Sequence, residues 1–103
     1  MNLKDFVGGW FIGNFDPSLL KTDDFEVSVK KYKSGDHEDR HIHKIATEYT
    51  VIVYGEIEMN GITYTSGDIV VVKPGESTDF RAITDSSNVV VKIPSVKGDK
   101  YII

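Results

Sequence analysis

The stretch Gly35-Asp36-His37-Glu38-Asp39-Arg40-His41-Ile42-His43-Lys44-Ile45-Ala46-Thr47-Glu48-Tyr49-Thr50-Val51-Ile52-Val53-Tyr54-Gly55 carries the residues on which the fold and the chemistry turn. His41 and His43 stand two apart, so on an extended strand both side chains leave the same face. With Lys44 to Thr47 as a connecting turn, in a hairpin or an arch, Glu48 falls opposite His43 and Thr50 opposite His41; in paired strands such Cβ atoms are about 4.5–5.5 Å apart. Two imidazoles and a carboxylate then converge. That set can hold a divalent ion and leave coordination positions open. After Glu48 the run to Tyr54 is β-branched and aromatic, as strands are. Ile52 and Tyr54 share the parity of Glu48 and are expected to face the same interior.

Downstream, Asn60-Gly61 is the preferred two-residue hairpin turn, setting Met59 opposite Ile62, Glu58 opposite Thr63 and Ile57 opposite Tyr64. Ile69 to Val72 follows Gly67-Asp68 as a buried strand closed by Lys73-Pro74-Gly75-Glu76. Phe80 to Ile83 is expected to pair with Asn88 to Ile93. Upstream, Phe25 to Lys30 alternates apolar and polar, which predicts a half-buried strand ending at Lys33-Ser34-Gly35. At the opening, Asn2 to Val7 and Pro17 to Lys21 suit short helical turns, and Trp10-Phe11-Ile12 suits a strand. Turn signals every eight to twelve residues or so leave little room for helix and point to an all-β sandwich or barrel. Gly35, Gly55, Gly67 and Gly75 fall where turns need positive φ.

The chain has 103 residues, one domain's worth, and 40% of them are hydrophobic, enough to fill one core. Its formal charge of -4, with lysines scattered among acids, gives no sustained positive field for nucleic acid. No apolar run approaches the ~20 residues of a spanning helix, and no secretory leader opens the chain, so a cytoplasmic location with no membrane partner is expected. Cysteine is absent. Any metal must therefore be held by His and carboxylate. The aromatic opening Trp10-Phe11-Ile12 and the apolar ending Tyr101-Ile102-Ile103 are the grounds for expecting a homodimer.

The frame Gly35-x5-His41-x-His43-x4-Glu48-x6-Gly55 resembles the first signature motif of the cupin superfamily at every defined position, and Gly67 to Phe80 resembles the second, from a Gly-Asp pair to a Pro-Gly turn. The two motifs cover about half the chain. The resemblance implies a double-stranded β-helix, a jelly-roll barrel with the site inside it. It implies a metal set of three histidines and one glutamate, with Fe, Mn, Ni or Zn as the ion. Here Thr78 occupies the second-motif histidine position, and a hydroxyl is a weak neutral ligand. Three ligands, His41, His43 and Glu48, still make a catalytic site with an open position.

Thr78, Thr50 and Tyr54 are the expected small-molecule contacts beside that set; Tyr54 has a phenol that wants a partner when buried. His37 is expected in an exposed loop. Lys30-Lys31-Tyr32-Lys33 reads most simply as a solvated strand end, with anion binding as the alternative. Three functions stay open: a metal-dependent enzyme, a carbohydrate-related isomerase or epimerase in which a histidine acts as base and Tyr54 as acid, and a non-catalytic binding cupin that has lost its metal with the Thr78 position.

Overall fold

At Asn60-Gly61 both turn residues have positive φ, 51° and 77°, and the hairpin they close has the expected register: Met59 opposite Ile62, Glu58 opposite Thr63, Ile57 opposite Tyr64. Around this hairpin the computed structural model, which describes all 103 residues, is built of strands. In chain order these are β1 (Trp10–Ile12), β2 (Glu26–Tyr32), β3 (His37–Ile42), β4 (Thr47–Tyr54), β5 (Ile57–Met59), β6 (Ile62–Tyr64), β7 (Ile69–Val72), β8 (Ser77–Ala82), β9 (Ser86–Ile93) and β10 (Tyr101–Ile102). They form two five-stranded sheets, β1-β2-β9-β4-β7 and β10-β3-β8-β5-β6. Every ladder between strands is antiparallel. This is the all-β double-stranded β-helix that the motifs imply. No helix is long and apolar enough to cross a membrane.

Of the hairpin and the arch left open after His43, the arch is formed, and one expected pairing is not formed. β3 and β4 lie in different sheets, so the segment after His43 is an arch across the barrel, and Glu48 meets the histidines across the interior instead of along a ladder. Likewise β8 joins β3 and β5 while β9 joins β2 and β4, so Phe80 to Ile83 does not pair with Asn88 to Ile93. At the opening, Leu3–Asp5 and Val7–Gly9 form single 3-10 turns, and β1 covers the β2 edge. Pro17 to Lys21 is not helical; Leu20 makes a bridge to Ile12. Both apolar ends, β1 and β10, therefore pair within the chain.

The interior is graded along the barrel. Inward residues of β4 run Glu48, Thr50, Ile52, and those of β8 run Thr78, Phe80, Ala82, from polar to apolar. At the apolar end Ile52, Ile57, Met59, Val72, Phe80 and Ala82 form the core, and the Tyr32 ring packs on Phe80 at 4.4 Å. Burial of each large side chain there is worth about 1.5–3 kcal/mol. Gly55 is part of this closure: its φ is 86°, and a Cβ would collide with the Asp85 carbonyl and with Ser86. Gly35, Gly67 and Gly75 also have positive φ.

The polar end belongs largely to β2 and β9. In β2 it is Glu26, Lys30 and Tyr32 that line the cavity, with Ser28 fully buried between them. The expectation that Lys30 and Tyr32 belong to a solvated strand end is thus corrected; of the four residues Lys30 to Lys33, only Lys31 and Lys33 stay exposed. The ladders set Lys92 beside both Glu26 and Glu48, and Lys30 beside Asn88.

Candidate metal centre and its cavity

His41, at the end of β3, is 5% exposed, and its Nδ1 lies 2.8 Å from the Asp39 carbonyl. A carbonyl can only accept, so Nδ1 carries the hydrogen and Nε2 keeps its lone pair. A metal ligand needs that tautomer. His43 is 2% exposed, and neither ring nitrogen has a hydrogen-bond partner. Its Nδ1 stands 3.8 Å from Glu48 Oε2. Burial, with the nearby Lys92 charge, lowers the His43 imidazole to about 4, which keeps the ring neutral at pH 7. Burial also pushes the Glu48 carboxyl up against the opposing pull of Lys92. The two imidazoles stand nearly edge-on at 5.2 Å.

One donor atom from each of His41, His43 and Glu48 lies within 4.8 Å of the others. Period two explains both histidines, because residues 41 and 43 leave the same face of the chain and point inward. The arch then brings Glu48 in from the other sheet. The residues fit a divalent ion: an orphaned buried imidazole, a second with its lone pair fixed, and a carboxylate form a closed set of nitrogen and oxygen donors.

The arch is itself held by a residue that the sequence did not mark. Asp99, 6% exposed, accepts backbone N–H bonds from Lys44, Ile45 and Ala46 at 2.9 to 3.3 Å. Burial alone would raise its carboxyl, but these donors outweigh it and hold the group below the usual carboxylate range. Asp99 thus ties the C-terminal segment, which walls the cavity from Ser95 to Lys100, to the loop between His43 and Glu48. No pattern in the sequence flags it, since a lone Asp after Gly98 reads as a turn.

The cavity has a volume of about 370 Å³. Thr78 and Thr50, each 2% exposed, line it with the three donors. Thr78 is the direct ladder partner of His41. Tyr54 does not reach it: the β4–β9 ladder slips between Ile52 and Tyr54, and the Tyr54 ring lies outside, 49% exposed. His37 is exposed as expected, although it begins β3 and is not in a loop; it stands 3.8 Å from Asp39.

With the barrel and the inward His/His/Glu set established, comparison with solved structures shows that the chain shares the double-stranded β-helix fold found in cupins. A conserved protein with a double-stranded β-helix domain from Klebsiella pneumoniae superposes with a TM-score of 0.71 at 24% identity, over 95% of this chain and 86% of that one. KdgF from Halomonas superposes at 0.66 with 21% identity over 73% and 74% of the two chains. A cupin-superfamily sugar phosphate isomerase from Silicibacter pomeroyi superposes at 0.64 with 18% identity over 70% of this chain and 52% of its own. No family model and no curated protein matches the sequence.

Proposed function

We propose that this chain is a metal-dependent cupin enzyme that rearranges a small carbohydrate-like molecule by proton transfer, as isomerases and epimerases do. The observation that carries the reading is His43: a buried neutral imidazole with both nitrogens unpaired is costly unless something binds it. His41, His43 and Glu48 would hold the ion, which would polarise a substrate oxygen as a Lewis acid. Thr50 offers a hydroxyl to the bound molecule, and Thr78, whose hydrogen goes to the Asp79 carbonyl, offers an acceptor oxygen. Glu26 is the cavity carboxyl left to move a proton; it forms no ion pair, and burial raises it toward the range of a working base. The cavity volume suits a molecule of about monosaccharide size. One protein of the same fold is a sugar phosphate isomerase, which is why sugars are the first substrates to try.

The metal-free variant of this reading takes a histidine as base and offers Tyr54 as acid, and the exposed Tyr54 ring does not favour that acid. The test is solvent exchange. Metal-loaded protein is incubated in deuterium oxide with a panel of aldoses, ketoses, their phosphates and uronic acids, and proton NMR follows the carbon beside the carbonyl. Deuterium should enter that position in at least one substrate, and Glu26→Gln should stop it. Exchange with none of them, in protein that holds its metal, would leave a binding protein and not an enzyme.

A further inference from the structure

Lys30 and Lys92, half-buried in the cavity wall, hold their ammonium groups 5.3 and 5.0 Å from the centroid of one indole, that of Trp10. Neither lysine takes part in a salt bridge or a side-chain hydrogen bond, whereas Lys100 in the same wall is paired with Glu38 at 3.4 Å. Two cations on one aromatic ring repel each other, and the ring answers each with only about 0.5–2 kcal/mol. Next to Lys30 in the β2–β9 ladder is Asn88, 1% exposed, whose Oδ1 has no hydrogen-bond donor. Lys92 has carboxylates beside it at Glu26 and Glu48, but neither comes within ion-pair distance.

We infer that Lys30 and Lys92, presented on Trp10, form an anion subsite of the cavity, so that the ligand is a hydroxylated small molecule carrying a carboxylate or a phosphate. Asn88 Oδ1 then accepts a hydrogen from a hydroxyl of that ligand. This deepens the function proposed above and rests on the same cavity. A divalent ion taken up by Glu48 removes that carboxylate from the field of Lys92, and the cavity is then left with an excess of positive charge for the ligand to neutralise. Burial lowers the Lys30 ammonium against the opposing field of Glu38, which is itself paired with Lys100. An arriving anion would restore what burial removed, and charge-assisted hydrogen bonds to two lysines are among the stronger polar contacts a site can make.

The probes are gluconate, glucose 6-phosphate and glucose, titrated calorimetrically into metal-loaded and into chelator-treated protein. The wild-type chain should bind gluconate or glucose 6-phosphate at least about tenfold tighter than glucose. Lys30→Gln/Lys92→Gln should erase that preference, and Lys31→Gln, whose side chain is exposed on the other face, should keep it. The two anions separate carboxylate from phosphate recognition. Loss of the preference in the double variant, seen in the chelator-treated protein as well, would sustain the subsite even if no metal binds. Normal metal uptake with glucose bound as tightly as the anions, with no anion bound, or with anion affinity untouched in the double variant, would overturn the subsite and leave the metal site standing.

Discussion

His41 and Thr78 are direct partners in the β3–β8 ladder, both buried and both in the cavity wall. Thr78 spends its hydroxyl hydrogen on the Asp79 carbonyl at 3.1 Å, so it presents only a neutral oxygen to the donor set. Thr78→His would place an imidazole next to His41 from the adjoining strand. It should raise the affinity for Ni²⁺ or Zn²⁺ by about tenfold or more, equivalent to about 1.4 kcal/mol, measured by calorimetry. An unchanged affinity with an intact fold would show that position 78 does not face the ion.

Asp99 acts on the same donors from behind. Asp99→Asn keeps the shape but leaves one acceptor oxygen where two now serve three N–H groups. It should cost about 1–3 kcal/mol in a denaturant melt at pH 7 and weaken metal binding through a looser arch. The pH dependence has a definite sign. A carboxyl held below its unfolded value of 3.8 contributes fully above that value and loses its contribution as pH falls through the lower folded one. The wild-type chain should therefore lose stability at the acid end, and the variant should lose less of it there.

The parts of the fold that were legible in the sequence are those fixed by neighbours in the chain. Asn60-Gly61 specified its hairpin to the residue, and the two-residue spacing placed His41 and His43 on one face. Arches were not legible, because a short loop such as Lys44 to Ala46 looks the same whether it turns back along a sheet or crosses the roughly 10 Å to the facing one. Tyr54 was misplaced by one slipped residue in the β4–β9 ladder, which ends the parity rule after Ile52. Lys30 was read first as solvated, with anion binding as the alternative, and Lys92 and Asp99 escaped notice, because charged residues default to solvent and only the closed barrel turns them inward.

The apolar plug should carry much of the stability. Phe80→Ala removes the ring stacked on Tyr32 and should cost about 3–5 kcal/mol in a chemical melt. A loss under about 1 kcal/mol would mean that the core packs differently.

A homodimer is the assembly we propose, on the outer face of the first sheet and not at the chain ends. Register lines up Val71, Tyr49, Val91 and Val27 in one row and Ile69, Val51, Val89 and Val29 in the next. No charge interrupts either row, and Ile69 and Val71 are 63% and 46% exposed. A second copy offers the same charge-free surface, as a two-fold interface requires. Sedimentation should give a dimer that Val71→Lys converts to an 11.5 kDa monomer. A wild-type monomer at micromolar concentration would rule the assembly out.

The central claim is that His41, His43 and Glu48 hold a divalent ion. It is tested most directly by titrating chelator-treated protein with Mn²⁺, Fe²⁺, Ni²⁺ and Zn²⁺ in a calorimeter, beside His43→Ala, whose circular dichroism and melting are checked for an intact barrel. The account predicts one ion per chain for at least one of these metals and none for folded His43→Ala. Absence of binding in the wild type, or equal binding in the variant, would contradict it.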